Sequence, residues 1–265
     1  MNLKDKIIAF DLDGTLVRRD GKISEYSANV IKDLISQGYH ITLVTGRNII
    51  SGAGTYDLCN MKGVAVFCNG SIVKDPHKED YVFKNTIPLE TVNHYANLPE
   101  IQEYIDDVLV EIEFTTYAKT GKIFKDATYI GEFDKTGLIS EPSSMVFYAK
   151  DEKSNEMIRN IINKSSTYHY RYWGRLGEFY NLLCDKKDGA KRLLEYYGKD
   201  ESDFIFFGDG ENDRLCLSYA GVGVAMKNAD EYTKAVANLV TDEDNESDGA
   251  VKFLLKMIEE NKKWN

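Results

Sequence analysis

Residues 7 to 17 read IIAFDLDGTLV, an apolar run that meets two aspartates. Four apolar residues in succession, Ile7, Ile8, Ala9 and Phe10, suit a strand buried on both faces, the habit of parallel sheets covered by helices. Asp11 and Asp13 then stand one position apart, ahead of the turn-forming pair Gly14-Thr15. Asp is a poor strand residue, and in open α/β sheets the carboxyl ends of the strands border the ligand crevice. The pair is therefore either a binding feature or the start of a turn, in which Asp bonds its own backbone and Gly supplies unusual dihedrals.

The alternation that follows favours an α/β fold. Tyr26, Val30, Ile31, Leu34 and Ile35 form a helical stripe with Ser24 as N-cap and Gly38 as stop. HITLVTGR supplies a second strand ending in Thr45, and VAVFCNG a third ending in Asn69. Late in the chain Ala190, Leu193, Leu194 and Tyr197 form a helical face, FIFFGDG a strand ending in Asp209, and GVGVAM a short strand. An amphipathic helix over Asp248 to Glu260 follows. The pattern predicts a Rossmann-like, doubly wound parallel sheet.

The middle reads differently. All four prolines, at 76, 88, 99 and 142, lie between the third strand and the returning helix. VLVEIEFTT, SSMVFYAK and YHYRYWG are β-rich, with a helix around Glu156 to Asn163. We expect a core domain over 1–83 and 184–265, interrupted by an inserted α+β domain over 84–183. TDEDNESDG reads as a solvated acidic loop.

With 265 residues, 43% hydrophobic and 12% aromatic, the chain can bury a core without staples. A formal net charge of -10 with no block of Lys and Arg argues against a nucleic-acid partner. Cys59, Cys68, Cys184 and Cys216 form no CxxC pair and read as reduced core residues. No stretch has the about 20 apolar residues of a membrane helix, and MNLKDK leaves no room for a leader before the first strand. The expectation is a cytoplasmic protein.

Polar residues recur at the ends of four candidate strands: Asp11 and Asp13, Thr45, Asn69, and Asp209 followed by Asn212 and Asp213. Four such ends in a fold whose crevice lies there make a site. GDGEND alone holds three carboxylates and an amide, and close carboxylates repel unless a cation neutralises them. Magnesium suits a set of hard oxygen donors completed by waters and substrate phosphate.

DLDGT, the Thr of LVTGR, a Lys ahead of a helix, and GDGEND, in that order, resemble the four motifs of the haloacid dehalogenase superfamily of phosphotransferases. GVGVAMKNA, an acidic loop and DGAVKFLL are similar to its Cof-type branch, whose cap domain is inserted after the third core strand. The resemblance implies that Asp11 is the nucleophile, forming an aspartyl-phosphate, and Asp13 the general acid and base. It implies magnesium held by Asp11, the main-chain carbonyl of Asp13 and Asp209, with Asp213 behind them orienting waters or the lysine. Thr45 would hydrogen-bond the phosphoryl group. The lysine is expected at Lys187, which keeps the spacing to Ala190 and Leu194 although Asp188 replaces the usual Gly, which appears one place on as Gly189; Lys186 is the alternative. Leu12, Gly46, Asn69 and Asn212 join Thr45 and Lys187 around phosphate and substrate. Arg47 either joins them or makes a surface ion pair. In the cap, Arg171, Trp173, Arg175 and Tyr180 either read the leaving group or belong to cap core and surface.

The implied activity is a magnesium-dependent phosphatase of small phosphorylated metabolites such as sugar phosphates. A phosphomutase on hexose phosphates and a non-catalytic sensor of phosphorylated metabolites are the alternatives. A P-loop kinase is a weaker reading still, because no GxxxxGK[ST] occurs.

Overall fold

The structure is a computed structural model that describes residues 2–112, 115–123, 127–129, 131, 141–165, 167–181 and 184–264, leaving aside the side chains of His169, Trp173 and 262–264. In chain order the elements are β1 (Ile7–Phe10), α1 (Glu25–Ser36), β2 (His40–Leu43), α2 (Ile49–Leu58), β3 (Ala65–Phe67), β4 (Ile72–Lys74), β5 (Phe83–Lys84), α3 (Leu89–Asn97), α4 (Pro99–Gln102), β6 (Ile105–Ile112), β7 (Thr115–Ala118), β8 (Thr128–Tyr129), β9 (Ser144–Ala149), α5 (Glu152–Ile162), β10 (Tyr168–Trp173), β11 (Leu176–Asn181), α6 (Lys186–Tyr196), β12 (Phe204–Gly208), α7 (Arg214–Tyr219), β13 (Val222–Ala225), α8 (Glu231–Val236), β14 (Leu239–Val240) and α9 (Gly249–Trp264). They divide into two compact units, Met1–Phe83 with Asp185–Asn265, and Lys84–Cys184.

The first unit is built on a five-stranded parallel sheet in the order β14-β13-β12-β1-β2. β1 lies inside it, every side chain buried, and its period of two splits the strand between two cores. Ile8 and Phe10 face a cluster with α1 and α9, through Ala28, Ile31, Val251 and Leu254. Ile7 and Ala9 face a second cluster with α6 and α7, through Ala190, Leu193, Leu194 and Leu217. This is the doubly wound arrangement that the apolar run predicts. α1 starts where its sequence says: the Ser24 hydroxyl accepts the Ser27 N–H at 2.9 Å, and Gly38 at φ 91° lies just past the helix end. The four cysteines are buried, as expected of core residues, and form no disulfide with one another.

The third strand departs from expectation. β3 meets β2 through one parallel bridge, Val44 with Val66, and otherwise pairs antiparallel with β4. The cause is the turn between them, where Cys68, Asn69 and Gly70 hold φ of 49°, 50° and 97°. Three successive left-handed residues reverse the chain after three residues of strand, and a non-Gly residue there is strained. The turn is packed close to α6: a Cβ on Gly189 would lie 2.4 Å from Val66 Cγ1 and 2.8 Å from the Gly70 Cα. Glycine at 189 is therefore a contact requirement. Gly189→Ala gains helix propensity of about 1 kcal/mol yet must displace backbone, so we expect net destabilisation of about 1–2 kcal/mol in urea unfolding.

The second unit is a six-stranded sheet, β10-β11-β9-β6-β7-β8, antiparallel except at β7 with β8. Val92, Ala96, Ile101, Ile158 and Ile162 of its helices cover one sheet face, against Val108, Val110, Met145, Phe147, Tyr170 and Phe179. The α+β character expected of the middle of the chain is present. Positions 113 and 114 of the VLVEIEFTT run lie outside the described residues.

Candidate active site

Because β1, β2 and β12 run parallel in register, their carboxyl ends bring Asp11, Thr45 and Asp209 to one edge of the sheet. Asp11 follows the parity of Ile7 and Ala9, toward the α6 side, while Leu12 turns into the opposite core and is fully buried. Only the main chain of Leu12 is left to meet a ligand. Gly14 then takes φ 78°, and a Cβ there would lie 2.1 Å from Asp209 Oδ2. A side chain at 14 would thus occupy the space of the second strand-end carboxylate.

The lysine expectation is corrected by the structure. Lys186, not Lys187, enters the site: its Nζ lies 2.7 Å from Asp11 Oδ1 and 2.6 Å from Asp213 Oδ1, with no side-chain exposure. The reason is helical phase. The buried residues of α6 are Lys186, Gly189, Ala190, Leu193 and Leu194, a stripe whose centre passes through 186, and residue 187 is rotated by about 100° from it. Lys187 is half-buried and makes no ion pair or side-chain hydrogen bond among the described residues.

Asp213 is fully buried and spends its other oxygen on the main chain, with Oδ2 accepting the N–H of Asp209 at 2.9 Å and of Gly210 at 2.8 Å. It therefore shapes the GDGEND loop and fixes Lys186. Asp209 is held by Thr15, whose hydroxyl donates to its Oδ1 at 3.1 Å. Asn69 and Asn212 are joined, Nδ2 of Asn212 donating to Oδ1 of Asn69 at 2.9 Å, and Gly46 packs against the Asn69 amide, where a Cβ would come within 3.0 Å. Thr45 is buried, its hydroxyl accepting the Arg47 N–H at 3.1 Å.

Asp13 sits apart from the buried group. Its side chain is 64% exposed, and Arg47 grips it with two hydrogen bonds, Nε at 2.8 Å and Nη2 at 2.6 Å. A bidentate fork of this kind orients as well as attracts. Of the two readings of Arg47, the ion pair is present, and its partner is the expected acid itself.

Within the second unit, Arg171 pairs with the buried Glu178 at 2.8 Å, its cross-strand neighbour, and lies over the Tyr180 ring. Arg175 donates to the Ala149 carbonyl, pairs with Asp106 and stacks on Tyr148. Its guanidinium thus serves the unit's own structure. The Trp173 side chain lies outside the described residues.

Asp11, Asp209 and Asp213 each offer an oxygen within 4.8 Å of the others. One ammonium cannot neutralise three carboxylates, two of them buried and the third half-buried. Burial pushes Asp11 up to about 8, opposed by Lys186 and assisted by repulsion from Asp213 and Asp209. Burial likewise pushes Asp209 up to about 7, with Asp213 adding to it. For Lys186, burial acts against the charged form, but Asp11 and Asp213 outweigh it and hold the ammonium charged. Hard oxygen donors, a charge deficit and a second carboxylate that only a glycine at 14 admits together fit a divalent cation.

These values carry a pH prediction for chelator-treated protein. Folded-state values of about 8 and about 7 lie above the ordinary 3.8, so the folded state holds more protons than the unfolded chain across that window. Stability should fall as pH rises from about 4 to 8, by about 1.4 kcal/mol per pH unit for each extra proton held. A divalent cation offsets the ionised carboxylates, so its stabilising effect should grow with pH. Melting curves at several pH values with and without the metal would read this directly; a cation effect that is flat with pH would count against the charge argument.

Comparison with known proteins agrees with the geometry. The profile of haloacid dehalogenase-like hydrolases matches residues 8–254. The chain is 28% identical over 267 residues to 5-amino-6-(5-phospho-D-ribitylamino)uracil phosphatase YitU of Bacillus subtilis (strain 168), covering 96% of this chain and 98% of that one. It is 26% identical over 276 residues to pyridoxal phosphate phosphatase YbhA of Escherichia coli (strain K12), covering 94% and 97%. A haloacid dehalogenase-like hydrolase from Bacteroides thetaiotaomicron shares the fold with a TM-score of 0.84 at 22% identity, over 95% of this chain and 99% of that one. The chain belongs to the haloacid dehalogenase-like hydrolases, among the Cof-type phosphatases. No helix of the described residues is long and apolar enough to cross a membrane.

Sequence reasoning misses two residues of the site, Thr15, which reads as part of a turn, and Asn228, which reads only as part of a family-like ending, and it ranks Lys186 second. The Thr15 signal was available, since it stands two residues after Asp13 in the same motif. Asn228 had none, because its partners lie 19 and 214 residues away.

Proposed function

We propose that the chain is a magnesium-dependent phosphatase that hydrolyses small phosphate monoesters through an aspartyl-phosphate on Asp11. The observation that carries this reading is the buried Asp11–Lys186–Asp213 ion-pair chain beside Asp209 at a parallel-sheet edge. Magnesium, held by Asp11, Asp209 and the Asp13 carbonyl, would supply charge neutralisation for the phosphoryl oxygens. An Asp11 oxygen forms a bond to phosphorus while the bond from phosphorus to the ester oxygen breaks, and Asp13 gives that oxygen its proton. Water then attacks phosphorus, Asp13 takes its proton, and the Asp11 carboxylate leaves. Asp13 exchanges its Arg47 fork for the ester oxygen in this sequence. Lys186 balances charge on the nucleophile, while Thr45, Asn69 and Asn212 line the phosphoryl side.

The boundaries 1–83 with 184–265 for the catalytic domain, and 84–183 for a substrate-selecting cap, belong to the same proposal, with Arg171 and Tyr180 as its leaving-group readers. Relatives named for phosphorylated small molecules support that substrate class, and four buried cysteines outside disulfides suit the reducing cytoplasm. A panel of sugar phosphates, nucleotides and vitamin phosphates, assayed for released phosphate with and without magnesium, tests the proposal. No release on any ester with magnesium present would sink it, and a hexose 1-phosphate converted to its 6-phosphate without free phosphate would assign a mutase instead.

A further inference from the structure

We propose that Asn228, itself fixed by Asn245, is a positioning residue for the cation-binding edge of the site, acting on Asp209 and on the main chain at Gly14. The inference rests on the metal-dependent phosphatase reading. Asn228 lies just past the end of β13. Its Nδ2 donates to the Gly14 carbonyl at 2.9 Å and approaches Asp209 Oδ2 at 3.4 Å. Its Oδ1 accepts the Asn245 N–H at 3.3 Å, and the buried Asn245 side chain donates to the Val17 carbonyl at 2.9 Å. Two amides therefore tie the acidic loop to both ends of the turn that follows β1.

The Asp209 carboxylate needs such support. It is pressed against the Gly14 Cα, and its two oxygens meet different donors, Oδ1 the Thr15 hydroxyl and Oδ2 the Asn228 amide. Both donors are neutral. A lysine here would compete with a cation for the carboxylate, and an aspartate would repel it; an amide fixes the oxygen and leaves its charge available. The Gly14 bond acts on the same goal, since it fixes the peptide adjoining the Asp13 carbonyl that is expected to face the cation. The acidic loop is anchored in turn by Asp248, which accepts from Arg18 at 2.8 Å and from Ser27 at 2.9 Å and also bonds Ser24. A segment that reads from sequence as solvated is thus the outer support of the site.

Asn228→Ala in the full chain tests this, with Lys252→Gln as a control that breaks an exposed ion pair of the same loop to Glu243. Chelator-stripped protein is titrated with magnesium and followed by thermal shift, and steady-state kinetics are measured with p-nitrophenyl phosphate at saturating magnesium. Removing a partner of a metal-holding carboxylate costs about 10–100-fold in metal affinity. We expect that shift in the magnesium midpoint for Asn228→Ala, with the ester KM unchanged, the metal-free melting temperature lowered only by the few degrees that lost hydrogen bonds cost, and wild-type behaviour for the control. An unchanged midpoint overturns the proposal. So does a fall in metal-free melting temperature beyond those few degrees, restored together with the midpoint by any stabilising condition, which marks a structural role, or a raised KM at an unchanged midpoint, which marks substrate contact. If wild-type protein neither responds to magnesium nor releases phosphate, the underlying phosphatase reading fails as well, a result distinct from a responsive wild type with an equally responsive variant.

Discussion

Asp11→Asn is expected to lower phosphate release by about 10³-fold or more while leaving the protein folded, because removing a nucleophile removes a step that no neighbouring group replaces. The substitution is nearly isosteric, and its amide oxygen can still face Lys186, which keeps Asp213 at 2.6 Å as its second partner. A stability signature accompanies the kinetic one. Asp11 is among the carboxylates pushed up by burial and by its neighbours' charge, to about 8. Near pH 8 the wild-type carboxyl is about half ionised, and the raised value has by then cost the fold stability that a neutral amide does not lose. Without metal, the variant should therefore melt above wild type near pH 8, and the gap should close toward pH 4, where both side chains are neutral. Phosphate release on a responsive ester, together with melting curves in chelator, would read both effects. Retention of a tenth of the wild-type rate would remove Asp11 from the role of nucleophile.

Where the sequence was legible, the chemistry was local. The all-apolar Ile7–Phe10 run specifies a strand buried on both faces, and the step from Phe10 to Asp11 specifies where it stops being buried hydrocarbon. In a parallel sheet that boundary falls at the same edge for every strand, so Asp11, Thr45 and Asp209 could be grouped without coordinates. Two things were out of reach. The first was helical phase between adjacent like residues: Lys186 and Lys187 differ by about 100° around α6, and which one faces inward depends on the Gly189 contact with Val66 and Gly70, a tertiary fact. The second was pairing between distant polar side chains. Arg47 closes on Asp13 over 34 residues, and Asn245 reaches the Val17 carbonyl over 228. Neither leaves a periodic trace, because a single hydrogen bond requires no pattern along the chain. In the second unit, Arg175 illustrates the same limit, since its commitment to Ala149 and Asp106 is visible only in the fold.

The comparison of Lys186→Gln with Lys187→Gln separates two adjacent residues of identical chemistry by their placement. Lys186 has no exposed side-chain surface and bridges two buried carboxylates. Breaking a buried ion pair from one side leaves uncompensated charge and costs about 3–5 kcal/mol. With Asp11, Asp209 and Asp213 left without their ammonium, Lys186→Gln should fall in that range near neutral pH. Its turnover should drop by about 10²–10³-fold, the scale seen when a preorganised electrostatic group is removed from a reacting centre. Lowering the pH should recover part of the lost stability, since protonation removes charge from Asp11 and Asp209, both already raised. Magnesium should also recover part of it, because a cation among the same oxygens replaces the missing positive charge. Lys187→Gln changes a half-buried residue with no ion pair or side-chain hydrogen bond among the described residues, so its stability should stay within about 0.5 kcal/mol of wild type and its turnover within about two-fold. Urea unfolding and initial rates on one ester, for both variants side by side, decide the matter; a dead Lys187→Gln beside an active Lys186→Gln would reverse the assignment and restore the spacing to Ala190 and Leu194 as the better guide.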